Sequence, residues 1–132
     1  MPFYVIRQDL TKMNVDIIVN PAQPEPFVGG TTDYLIHQVA GKGLIEERKR
    51  FGLLKTTDAV ITSAYKLNAS YVIHTVGPIY QDGKHNERAL LEVTYLNCLK
   101  LAVRHRASSI AFPLISSGHY GYPKDEAIEV AD

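Results

Sequence analysis

The order of apolar runs and helical patterns along these 132 residues predicts an α/β layered domain with a mixed, largely parallel central sheet. Three observations predict it. Short runs of apolar and β-branched residues recur at 3–6, 15–19, 59–64, 71–76 and 109–115. Helical periodicity appears between them, giving the order ββαββαβα, in which strands alternate with helices. Two glycine-bearing loops, 28–32 and 116–121, each lead from a strand into a helix. In sheets of this kind ligands bind outside the carboxyl ends of the strands.

Each element has its own signal. Phe3-Tyr4-Val5-Ile6 and Val15 to Val19 read as strands, and the second stops at Asn20 before three prolines. From Asp33 to Phe51 the pattern is helical: Leu35, Ile36, Val39 and Ala40 share a face, then Gly41 and Gly43 interrupt. This is one broken helix or two short ones. Ala59 to Ala64 and Tyr71 to Val76 are strands, and Gly77-Pro78 ends the latter. Glu87 to His105 is the clearest helix, with Leu91, Tyr95, Cys98 and Ala102 on one face. Ser109 to Ile115 is a strand, and Pro123 suits the first position of a final helix from Lys124.

Composition narrows the function. The length fits a single domain over 1–132 with a sizeable core. Fourteen Lys and Arg balance fourteen Asp and Glu, so nucleic acid is not an expected partner. No run approaches the roughly 18 apolar residues of a membrane span, so no membrane partner is expected either. The single cysteine, Cys98, suits a reducing compartment such as the cytoplasm and reads as an inert buried thiol. No His/Cys/Asp cluster stands at metal-ligand spacing, and no metal or cofactor is expected.

The loops carry the chemistry. Small residues and glycines before a helix let successive backbone N–H groups point one way, which stabilises an anion, typically phosphate. Two such loops on one edge suggest a diphosphate. Neither is followed by Gly-Lys-Ser/Thr, and no G-x-G-x-x-G is present. His37 and His74 lie inside helix and strand patterns and read as structural histidines. His119 lies inside the second loop. Tyr120 and Tyr122 either flank a nucleotide or pack the loop.

Four stretches carry a family likeness: Gln8-Asp9-Leu10-Thr11-Lys12; Asn20-Pro21-Ala22-Gln23 through Asp33 and on to Gly41; Tyr71 to Pro78; and Ile110 to Pro123. In order and spacing the chain resembles the macro domain, a module that binds ADP-ribose and in many members hydrolyses ADP-ribose linkages. The resemblance implies a three-layer α/β/α fold. It also implies a domain short at its C-terminus, lacking the usual last strand and helix, with an open sheet edge through which another chain could pair.

Residue by residue, the resemblance implies that Asp9 and the Leu10 backbone hold adenine. Gly29, Gly30, Thr31 and Thr32 form the first phosphate loop, and Ser116, Ser117, Gly118, His119 and Tyr120 form the second. Asn20 and Gln23 stand near the distal ribose. Asp33 orients or activates a water there, and is the catalytic residue together with Asn20. Two departures bear on this. Gln23 stands where the family has a second Asn, one methylene shorter, and the glycine run is reduced to Gly29-Gly30. If the loop needed positive φ at position 31, Thr31 would alter the cradle. The expectation is an ADP-ribosyl hydrolase acting on protein carboxylate esters or O-acetyl-ADP-ribose. The alternatives are an ADP-ribose reader without turnover and a degenerate structural or interaction domain.

Overall fold

A computed structural model describes residues 9–116, 120–124, 126 and 130. After a short 3-10 turn at Leu10–Lys12 come strand β1 (Ile17–Pro21), helices α1 (Thr31–Ala40) and α2 (Lys42–Lys49), strands β2 (Ala59–Ser63) and β3 (Tyr71–Thr75), helix α3 (Glu87–Arg104) and strand β4 (Ile110–Ala111). The strand expected at 3–6 lies outside the described residues. Of the expected final helix, Lys124, Glu126 and Val130 are described and helical.

The sheet of described residues has the order β2-β3-β1-β4. β1 runs parallel to both neighbours, and β2 is antiparallel to β3, so the sheet is mixed and largely parallel. Alternation along β1 sorts its side chains to opposite faces. Ile17 and Val19 pack with Leu91, Tyr95, Cys98 and Ala102 of α3. Ile18 packs with Ile36, Ala40 and Leu44 of α1 and α2. All three β1 side chains are fully buried, worth about 1.5–3 kcal/mol each relative to exposure. The result is three layers, helix on sheet on helix.

The helical segment is two short helices, one of the two forms expected, split at Gly41, whose φ of 92° few other residues adopt. Other boundaries differ from the sequence reading. β1 runs on to Pro21, past the expected stop at Asn20. The first helix opens at Thr31 rather than Asp33, so the loop ends at Gly30 and Thr31 needs no positive φ. The last strand is confined to Ile110–Ala111, because Pro113 offers no N–H and Ile115 and Ser116 already turn. Cys98 is fully buried, and burial pushes its thiol up to about 12, which leaves it inert at neutral pH.

Candidate functional site

A cavity of about 370 Å³ opens beyond the carboxyl ends of β1, β3 and β4. Its walls come from three segments distant in sequence: Pro21 to Gln23 with Gly30 to Asp33, then Gly77, then Pro113 to Ser116 with Tyr120 and Lys124. The N-terminus of α1 faces it. Gly30 caps α1 with no side-chain hydrogen bond, so first-turn N–H groups and the helix dipole are presented to the cavity.

Asp33, in that first turn, is almost fully buried. Its Oδ1 accepts from Asn20 Nδ2 at 2.8 Å and from His37 Nε2 at 3.2 Å. Its Oδ2 accepts from the Gly29 N–H at 2.8 Å. Burial is the largest single influence and pushes the carboxyl upward. The His37, Gly29 and Asn20 bonds together outweigh it, so the group sits below its ordinary range and is ionised. Three of roughly four acceptor positions of the carboxylate are thereby filled.

Behind Asp33 the polar contacts continue across the sheet. Asn20 and His74 are register partners on β1 and β3, and Asn20 Nδ2 lies 3.1 Å from His74 Nδ1. His74 Nε2 lies 3.0 Å from Thr62 Oγ1 on β2. Burial, with His37 adding, pushes the His74 imidazole down to about 3, so it is neutral at pH 7. Arg48 of α2, also buried, donates to the carbonyls of Gln23 (3.0 Å), Pro24 (3.1 Å) and Gly52 (2.7 Å). It clamps a proline-rich stretch that has few N–H groups of its own.

The second loop is held from α3. The Tyr95 hydroxyl accepts from the Ile115 N–H at 3.1 Å and faces the Pro113 carbonyl at 3.4 Å. Tyr122 N donates to Ser116 O at 2.7 Å and closes the loop. Ser116 sits at φ 68°, a conformation that costs a non-glycine residue on the order of 1 kcal/mol. Its buried Oγ has no partner among the described residues. It presses on Gly77, where a Cβ would meet that Oγ at 2.3 Å. Burial raises the Tyr120 phenol, and the Asp33 carboxylate adds to the effect across the cavity.

Of the residues expected at the site, Gln23, Gly30, Thr31, Thr32, Asp33, Ser116 and Tyr120 line one cavity. Gly29 stands just behind it, against Gln23 and Asp33. Asn20 is fully buried and reaches the site through Asp33. Asp9 and Leu10 do not line the cavity; Asp9 caps the 3-10 turn by accepting from the Thr11 N–H and hydroxyl. Ser117, Gly118 and His119 lie outside the described residues. Tyr122 packs the loop, edge-on to Tyr80 at 5.1 Å.

The sequence reading missed Lys124, a cation in the cavity wall, and the roles of Arg48, His37 and His74. The i,i+4 spacing of Asp33 and His37 was a usable signal for one of them. It also missed that Asp82, His85 and Glu87 bring ligand atoms within 4.8 Å of one another. The Glu87 oxygens there already accept the N–H groups of Gln81, Asp82, Gly83 and His85. A second, open hollow of about 310 Å³ lies at the opposite sheet end, around Asn14 to Asp16 and Leu67 to Ser70. Among the described residues no helix is long and apolar enough to cross a membrane.

Parallel-strand ends, two small-residue loops and an uncapped helix N-terminus make this an α/β domain with a cleft whose backbone donors suit an anionic ligand. The comparisons with known proteins sharpen that class. The macro domain model matches residues 19–131, and the chain belongs to the macro domain family. It is 49% identical over 131 residues to an O-acetyl-ADP-ribose deacetylase of Salmonella typhimurium, covering 96% of this chain and 73% of the relative. It is 45% identical over 128 residues to a macro domain-containing protein of Chlorobaculum tepidum, covering 97% and 74%. The Oceanobacillus iheyensis macrodomain with ADP superposes with a TM-score of 0.89 at 37% identity, covering 94% of this chain and 69% of that one. A Trypanosoma brucei macrodomain in complex with ADP-ribose gives 0.87 at 37% identity, covering 95% and 52%.

Proposed function

We propose that this chain binds ADP-ribose in the cavity and hydrolyses an ester on its distal ribose, with O-acetyl-ADP-ribose or an ADP-ribosylated protein carboxylate as substrate. Water adds to the ester carbonyl, the ribose oxygen leaves and takes a proton, and the products are a carboxylic acid and ADP-ribose. The observation that carries this reading is the Asp33 carboxylate in the wall of a cavity flanked by both glycine-bearing loops. The α1 N-terminus and the backbone of the second loop hold the diphosphate, and Lys124 adds a cation. Asp33 has one acceptor position left after its three donors, which suits orienting a water. Its lowered pKa makes it a weak base, so orientation rather than outright deprotonation is its part. Asn20 serves the distal ribose by holding Asp33.

Two observations favour a second reading, a module that binds ADP-ribose without cleaving it. Both oxygens of Asp33 are already engaged, and Gln23 stands where the family has Asn. Two measurements decide between the readings. Calorimetry with ADP-ribose, with AMP as control, tests binding: micromolar affinity that AMP does not match is expected. Turnover of O-acetyl-ADP-ribose by wild type and Asp33→Ala tests catalysis. The variant is expected to lose turnover while ADP-ribose affinity persists, and equal turnover in the two proteins would end the catalytic assignment.

A further inference from the structure

We infer that His74, held by Thr62, is a positioning residue for the Asp33 reaction: it fixes the plane of the Asn20 amide, and through it the Asp33 carboxylate. The inference rests on the hydrolytic reading above and extends it to two residues that do not line the cavity.

The Asn20 amide nitrogen has two protons. One goes to Asp33 Oδ1 at 2.8 Å and the other faces His74 Nδ1 at 3.1 Å. For Nδ1 to accept, the imidazole proton must sit on Nε2, and the partner of Nε2 decides that. The partner is Thr62 Oγ1 at 3.0 Å. The Thr62 hydroxyl proton is directed at the Ser63 carbonyl, also 3.0 Å away, so its oxygen turns a lone pair to His74. Thr62, His74 and Asn20 are buried and do not line the cavity, so water does not substitute for a missing partner among them.

With the proton on Nδ1 instead, two N–H groups would face each other across the His74–Asn20 contact. The amide cannot turn over to relieve this, because its oxygen would then meet the Asp33 carboxylate. Asn20 is therefore defined from both sides. Since Asp33 also holds the Gly29 N–H, any slack passes to the loop in front of the cavity.

The test uses the 132-residue chain with Thr62→Val and Thr62→Ser. Val keeps the side-chain volume and removes the hydroxyl, whereas Ser keeps the hydroxyl and removes the methyl. The expected result is a fall in kcat of about 10- to 100-fold for Thr62→Val, the scale of a displacement near 1 Å. ADP-ribose affinity should change less than about threefold, and Thr62→Ser should restore kcat to within about threefold. A packing role gives the reverse order. Nitrogen-15 NMR of the wild type should show His74 protonated on Nε2, and Thr62→Val should shift the Asn20 side-chain amide signal. Wild-type kcat in Thr62→Val, equal impairment in Thr62→Ser, or an Nδ1-protonated His74 overturns the inference. If the wild type itself shows no turnover, the hydrolytic reading fails on its own. The NMR then still judges the network, and an Asn20 amide signal unmoved by Thr62→Val overturns it.

Discussion

Gly29 donates its N–H to Asp33 Oδ2 across 2.8 Å, so the glycine loop and the first turn of α1 close on each other. On its other side Gly29 meets Gln23, which occupies the space a side chain at 29 would need. A Cβ there would lie 2.3 Å from Gln23 Nε2 and 2.4 Å from its Cγ. The extra methylene of Gln23 and the absence of a side chain at 29 are two halves of one fit.

Gly29→Ala is therefore expected to displace Gln23 and to destabilise the domain by about 1–3 kcal/mol through overpacking. In a Gln23→Ala background the same substitution should cost much less, because the obstructing atoms are gone. Urea denaturation of the four proteins of this double-mutant cycle measures the coupling, and simple additivity would contradict the fit.

Arg48→Met should remove the guanidinium that donates to three carbonyls, those of Gln23, Pro24 and Gly52, of which Pro24 keeps a second donor in the Leu54 N–H. The expected loss of stability is about 2–4 kcal/mol. ADP-ribose affinity should fall as well, since Gln23 lines the cavity. A stability loss below about 1 kcal/mol in urea denaturation would show that the clamp is dispensable.

Glu87 makes a prediction in pH. Burial pushes its carboxyl up, but backbone N–H groups led by those of Gln81 and His85 outweigh it and bring it from an ordinary 4.5 to about 2. A carboxyl depressed in the folded state stabilises fully above its unfolded value and loses that contribution as pH falls through the folded one. The stability difference between wild type and Glu87→Gln should be constant above about pH 5 and shrink steadily toward pH 2. Denaturant titrations at a series of pH values check this; a difference that grows on acidification would reverse the sign.

Much of the architecture is legible in the sequence. Val15 to Val19, Tyr71 to Val76 and the α3 stripe declared themselves by apolar run and periodicity, because each is buried on the face its pattern marks. The element ends were less legible. Thr31 and Thr32 read as loop, and they are helical because Asp33 reaches back to the Gly29 N–H, a closure that spacing alone does not reveal. Both loops and Asp33 stood out in the sequence as candidates, and Gly30 to Asp33, Ser116 and Tyr120 line one cavity. The line from Thr62 through His74 and Asn20 was not. Its members belong to three strands that meet only by sheet register, and no local pattern distinguishes His74 from an ordinary buried histidine.

β1 and β4 share only the pairs Ile17–Ile110 and Ile18–Ala111, yet one cavity loop departs from each strand. The neighbouring tie, from Asp16 N to Ser109 Oγ, spans 93 residues of chain. A nascent polypeptide leaving the ribosome thus displays the first loop long before the second exists. A ligand that needs both loops therefore waits for β4 to dock beside β1. A molecule gripped by both loops binds only chains that have completed this docking. Its occupancy reports on that pairing and, by mass action, protects the paired state.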